Sequence, residues 1–145
     1  MRALNGNDAE MLQCARQAAE KAYCPYSRFP VGAVVETDLG RFAGCNIENA
    51  SYGLAICAER VAIASAIAAG ARQFHRLAVS CVAAKASDPV GTRMPCGACR
   101  QVIAEFLPGS AEIIVDGAGA WSVAELLPQP FQLSGMPACD DMNGG

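Results

Sequence analysis

The sequence predicts an α/β fold, with helices packed on a partly parallel sheet, from three observations. Its elements read in the order α-β-β-α-β-α-β, and two helical crossovers between strands are what parallel neighbours require. Its 145 residues are 52% hydrophobic and 17% charged, which suits one well-buried domain over 1–145 with a core at about 7–132. Its second helix is apolar nearly all the way round, as a helix sandwiched between layers must be.

Each element has a local cause. Asn7 or Asp8 caps a first helix running to about Tyr23, with Met11, Leu12, Ala15, Ala18, Ala19 and Ala22 on one face. Pro25 stops it, because the residue before a proline avoids helical geometry. Val31 to Glu36 and Arg41 to Asn46 read as strands, joined by Thr37-Asp38-Leu39-Gly40, whose glycine suits a short hairpin loop. A helix from about Cys57 to Ala69 is closed by Gly70. Its stretch Val61-Ala62-Ile63-Ala64 and the following Ala66 to Ala69 leave no polar face, so it should be covered by the sheet and by other helices or a second subunit. Phe74 to Ala84 reads as a long strand, and Lys85 to Arg93 as a loop. A helix from about Pro95 to Phe106, a strand from Ala111 to Asp116 and a short helix from Val123 to Leu127 complete the order. The closing "SGMPACDDMNGG" reads as a flexible tail.

Charge and hydropathy narrow the function. Fourteen acidic residues outnumber eleven scattered basic ones, for a net charge of −3. Nucleic-acid binders instead carry a basic stripe, so a small, weakly charged substrate is expected and no nucleic acid. No apolar run reaches the roughly 20 residues that span a bilayer, so no membrane role is expected. The N-terminal "MRALNGNDAEML" lacks the apolar centre of a signal peptide, which predicts a cytoplasmic protein. In a reducing cytosol, eight cysteines point to metal binding or catalysis rather than a disulfide framework. Cys57, Cys96 and Cys99 have the placement of ligands; Cys14, Cys24, Cys45, Cys81 and Cys139 stand singly and read as small apolar side chains.

Cys96 and Cys99 open one helix three residues apart, and Cys57 opens another. Pro95 suits a first helical position. The positive end of a helix favours the thiolate form that binds metal, so two converging helix starts present three thiolates to zinc. Glu59 lies roughly 200° around the helix from Cys57 and shares no lateral face with it, yet both can address a point beyond the helix end. Three protein ligands with one open position is the catalytic zinc pattern, whereas a structural site is closed by four. A carboxylate beside the metal can relay a proton to a ring nitrogen and then to a leaving amine. Arg60 can hydrogen-bond the sulfurs and offset their charge. A structural site closed by His75, Cys45 or Cys81, or a redox C-x-x-C pair, remains open on spacing alone.

"CAER" followed by "PCGACRQV" resembles the zinc cytidine deaminases, in their small, all-cysteine, homotetrameric form. "YCPYSRFPVGAVV", "GCNIENASYGL" and "ELLPQPF" extend the resemblance in the same order, from about Tyr23 to Phe131. It implies a three-layer α/β/α deaminase-like fold with a central mixed sheet. It implies one Zn²⁺ per subunit on Cys57, Cys96 and Cys99, with Glu59 as proton shuttle and Arg60 tuning the metal. Asn46 and Glu48 would bind the sugar hydroxyls, with Phe29 lining that pocket. The Ala58 N–H and Met94 C=O would flank the base; the family more often has serine or threonine at the Met94 position, and a main-chain carbonyl survives that change. Phe131 would stack on a neighbouring subunit's pyrimidine, and Ala50 and Tyr52 would approach a neighbour's site. The implied reaction turns cytidine, and 2'-deoxycytidine, into uridine and ammonia in pyrimidine salvage. A blasticidin-type deaminase shares the metal motif, but the "NIE" segment and Phe29 speak against it. A polynucleotide-editing deaminase would want a basic groove and a histidine ligand. A non-enzymatic structural zinc module would need four protein ligands and leave Glu59 idle.

Overall fold

The computed structural model describes residues 1–135, and within them five strands form one sheet. In chain order these are β1 (Val31–Thr37), β2 (Gly40–Cys45), β3 (Phe74–Cys81), β4 (Glu112–Val115) and β5 (Gly119–Ser122). Across the sheet they run β2-β1-β3-β4-β5. The β3–β4 pair is parallel and the other three pairs are antiparallel, so the sheet is mixed. Four α-helices join them: α1 (Ala9–Ala19), α2 (Ala58–Ala68), α3 (Gly97–Phe106) and α4 (Val123–Leu126).

Strand alternation sorts the core into two layers. Ala33 and Val35, Leu77 and Val79, and Ile113 and Val115 face α2, α3 and α4, where Ile63, Ile103 and Val123 meet them. The intervening Val34, Ala78 and Ile114 face α1 and pack on Met11, Leu12 and Ala15. The result is the three-layer α/β/α arrangement. Two glycines let helices lie directly on strands. A Cβ at Gly32 would stand 1.9 Å from the Ala15 carbonyl oxygen, and one at Gly44 would stand 2.3 Å from the Ala62 nitrogen.

Several boundaries differ from expectation for identifiable reasons. The first helix ends at Ala19 rather than Tyr23, because Tyr23 pairs instead with Ile47: its N–H donates to the Asn46 carbonyl at 3.0 Å. β3 stops at Cys81 rather than Ala84, since β1 pairs with it only as far as Val31↔Cys81. Pro95 is not a first helical residue, because the extended Cys96 is the N-cap and α3 begins at Gly97. β5 is absent from the order that the sequence predicts; it is four residues long and follows the turn at Gly117 (φ 72°). α2 is not covered all round within the chain, for Ala64, Ser65 and Ala68 are exposed along its outer side. No helix among the described residues is long and apolar enough to cross a membrane. The tail expected to be flexible lies, from residue 136 on, outside the described residues.

Candidate metal centre and substrate pocket

α2 and α3, which pack on the same side of the sheet, each begin with a cysteine cap. Cys57 is the extended N-cap of α2, and Cys96 that of α3, where its Sγ accepts the Cys99 N–H at 3.4 Å. A cap side chain turns back over the first helical turn. That turn brings Cys96 to Cys99, and packing of both helices on one face brings Cys57 to the pair. The three Sγ atoms lie within 4.8 Å of one another, and among the described residues they form the one cluster of this kind. Cys57 Sγ and Cys96 Sγ are 3.8 Å apart. Two sulfurs bound tetrahedrally at about 2.3 Å stand about 3.8 Å apart, so the donor set fits zinc in spacing as well as in softness. His75 is exposed, Cys45 Sγ donates to the Lys21 carbonyl and Cys81 Sγ to the Arg93 carbonyl; none joins the cluster. The closed structural site therefore lacks its fourth protein ligand among the described residues.

Electrostatics point the same way. Hydrogen bonds from Cys99, Arg60 and Cys96 outweigh burial and pull the Cys57 thiol down to about 5. The Cys99 thiol is pushed far up, first by its hydrogen bond to Cys57, then by burial and Glu59. Arg60 Nη2 lies 3.6 Å from Cys57 Sγ and favours its thiolate form. Arg60 Nε is a buried N–H with no acceptor among the described residues. Glu59, the second residue of α2, is 4% exposed, and burial followed by the Cys57 charge raises its pKa. Its Oε2 accepts from Cys99 Sγ at 3.7 Å. A buried carboxyl therefore borders three soft donors, of which Cys99 is buried, Cys57 half-buried and Cys96 open to solvent.

The family model described as the cytidine and deoxycytidylate deaminase zinc-binding region matches residues 5–115. The chain belongs to the cytidine and deoxycytidylate deaminase family. It is 44% identical over 122 residues to the cytidine deaminase of Sporosarcina psychrophila, across 81% of this chain and 85% of that protein. With the cytidine deaminase of Halalkalibacterium halodurans it shares 44% identity over 142 residues, 94% and 98% of the two chains. The crystal structure of cytidine deaminase from Burkholderia pseudomallei matches with a TM-score of 0.75 at 42% identity, across 88% of this chain and 100% of that one. Membership in the deaminase family makes the chain a zinc-binding hydrolytic enzyme.

In this deaminase-family chain the sugar-site candidates hold up a loop. Asn46 Oδ1 accepts the Val31 N–H at 2.8 Å, and Asn46 Nδ2 donates to the Phe29 carbonyl at 2.9 Å. Glu48 Oε1 accepts the N–H groups of Tyr26 and Ser27, each at 3.1 Å, and the Ser27 side chain, followed by those two backbone bonds, holds its carboxyl below the usual range. A cavity of about 390 Å³ opens beside Glu48 and Tyr52. Tyr26, Ser27, Asn49 and Ala55 line it too, although sequence reasoning does not single them out. The signal was present in "PYS", a tyrosine and serine just ahead of Phe29. The Tyr26 and Tyr52 rings meet edge to face at 6.0 Å. Phe29, Asn46, Ala50, Ala58, Met94 and Phe131 are not among the lining residues. Ala58 is buried at the start of α2, Met94 packs at the rim of the core, and Ala50 and Phe131 are exposed.

Proposed function

We propose that the protein hydrolyses cytidine, and 2'-deoxycytidine, to uridine and ammonia as a pyrimidine salvage enzyme of the cytoplasm. The observation that carries this reading is the three-cysteine cluster edged by the buried Glu59 carboxyl, with no fourth protein donor among the described residues. Cys57, Cys96 and Cys99 would hold one zinc ion per subunit, and Arg60 would keep the Cys57 sulfur anionic. When bound, zinc supplies a Lewis acid that brings water's pKa to about 7. Glu59, whose pKa burial raises, takes a proton from the attacking water and passes it to N3 of the base. Water oxygen bonds to C4, Glu59 then carries the remaining hydroxyl proton to the amine, and the C4–N bond breaks, so one water is consumed and one ammonia released. The Ala58 N–H, without an intrahelical acceptor at a helix start, would bind the base carbonyl, and the Met94 C=O the amine.

Glu48 retains Oε2, and Asn46 one amide hydrogen and one lone pair, for sugar hydroxyls. Phe29, fixed through its carbonyl by Asn46, would line that wall. A second copy of the chain would complete the site in a homotetramer. Support comes from the exposed Ala64–Ser65–Ala68 side of α2, from Tyr52 at 78% and Leu54 at 65% exposure, and from the outward Ala50 and Phe131. Phe131 would stack on a neighbour's pyrimidine. Ammonia release from cytidine by the purified protein, with Glu59→Gln alongside, tests the reading. Turnover in the parent and none in a variant that retains zinc supports it; a parent that binds zinc tightly without turnover rejects it.

A further inference from the structure

Arg100 and Gln101 follow Cys99 on α3, and both reach to the segment that ends at Phe131. Arg100 Nη1 donates to the Leu126 carbonyl at 2.9 Å. Gln101 meets the Phe131 main chain twice: Phe131 N–H donates to Oε1, and Nε2 donates to the Phe131 carbonyl, each at 3.0 Å. Between these anchors stand Pro128 and Pro130, whose fixed φ stiffens the span and which have no backbone N–H to satisfy. The ring carried by this strap has little use within the chain, since Phe131 is 69% exposed. Two side chains on α3 thus order a segment whose aromatic ring packs on little of its own subunit.

We infer that Gln101 is a positioning residue, which sets Phe131 as a preformed stacking platform for the base bound in a second copy of this chain. The inference rests on the reading that Phe131 stacks on a neighbour's pyrimidine. Glutamine suits the task chemically, because its amide offers one acceptor and one donor at the spacing of a single residue's N–H and C=O. Glutamate keeps only the acceptor when ionised, and methionine has the length with neither. Gln101 stands two residues beyond Cys99, so the platform is anchored to the same helix that presents the thiols. An aromatic plane held in advance stacks without first being ordered, which favours binding of the base over the chemical step.

Steady-state kinetics on the zinc-loaded protein tests this with Gln101→Met, Gln101→Glu, Phe131→Ala and the Gln101→Met/Phe131→Ala double variant. Gln101→Met should raise KM for cytidine roughly tenfold, the worth of two neutral hydrogen bonds, and leave kcat and zinc content at parent values. Gln101→Glu should fall between the two. In the Phe131→Ala background Gln101→Met should add nothing to KM. If Phe131→Ala raises KM and Gln101→Met does not, the positioning role is overturned and the stacking role stands. If Phe131→Ala leaves KM unchanged, both fall. An equal KM increment in the two backgrounds also overturns the inference, because Gln101 would then act without the ring. Melting followed by the fluorescence of Trp121 separates a general loss of stability: KM must track the number of bonds kept, not the melting temperature.

Discussion

Replacing Gly44 with alanine would put a Cβ 2.3 Å from the Ala62 nitrogen, 2.5 Å from the Ala58 carbonyl oxygen and 2.9 Å from the Ala62 Cα. All three atoms are backbone, so no side chain can swing aside. Ordinary contact begins near 3.4 Å, which leaves α2 to lift from β2 by about 1 Å. Overpacking of this kind costs roughly 1–3 kcal/mol, or about 3–10 °C in melting temperature for a chain of this size. The sharper consequence concerns the site. α2 carries Cys57 and Glu59, whereas Cys96 and Cys99 ride on α3, so the lift would draw the Cys57 thiol and the carboxyl away from the other two thiols. Metal sites tolerate about 0.2 Å in ligand distance, and a 1 Å misplacement of catalytic groups costs about 100-fold in rate. The assay is kcat/KM on cytidine, with zinc content and thermal melting of the same preparations. Gly6→Ala, whose Cβ meets nothing within 4 Å, is the control. Parent melting, zinc and turnover in Gly44→Ala would show that contact between α2 and β2 does not set the metal geometry.

Three further perturbations have defined outcomes. Arg2 donates to the buried Asp8 and to Glu112, and its hydrogen bonds hold both carboxyls below their usual range, as Arg76 does for Glu36. Depressed folded values give stability that is present above the ordinary carboxylate pKa of about 4 and is lost as pH falls through those lower values. Arg2→Ala should therefore cost about 2–3 kcal/mol at pH 7, discounted for its partial exposure, and the cost should shrink progressively as pH is lowered below about 4 in urea titrations. Arg60→Gln removes the donor beside Cys57 and should weaken zinc retention about 10- to 100-fold in a chelator competition, with activity falling in step. Ala64→Glu plants a charge on the open side of α2. Light scattering should report a smaller species with little activity, and an unchanged assembly would place the interface elsewhere.

The features legible in the sequence are those written in short-range chemistry. Thr37 to Gly40 announces the hairpin, Pro25 a break, and the alternation of Val34 with Ala33 and Val35 a strand buried on both faces. The thiol cluster is legible as well, since Cys96 and Cys99 meet within one helical turn and Cys57 heads the other apolar helix. What escapes depends on long-range packing. β5 is four residues with one aromatic and no branched side chain, and its pairing with β4 rather than local propensity makes it a strand. Gly44 gives no sign that a helix rests on it. Gln101 looks like any polar residue on a helix until Phe131, 30 positions later, comes back to meet it. Asn46 and Glu48 are sugar ligands only by family resemblance, and their bonds to residues 26–31 escape the sequence because they require the fold to exist.

Those bonds have a thermodynamic consequence. The wall formed by residues 26–31 is braced from behind by Asn46 and Glu48 when the chain folds, before any guest arrives. A nucleoside bound there, as proposed, would find little left to organise, so its affinity should carry a small entropic penalty and a heat capacity change set by the apolar surface it covers rather than by loop closure.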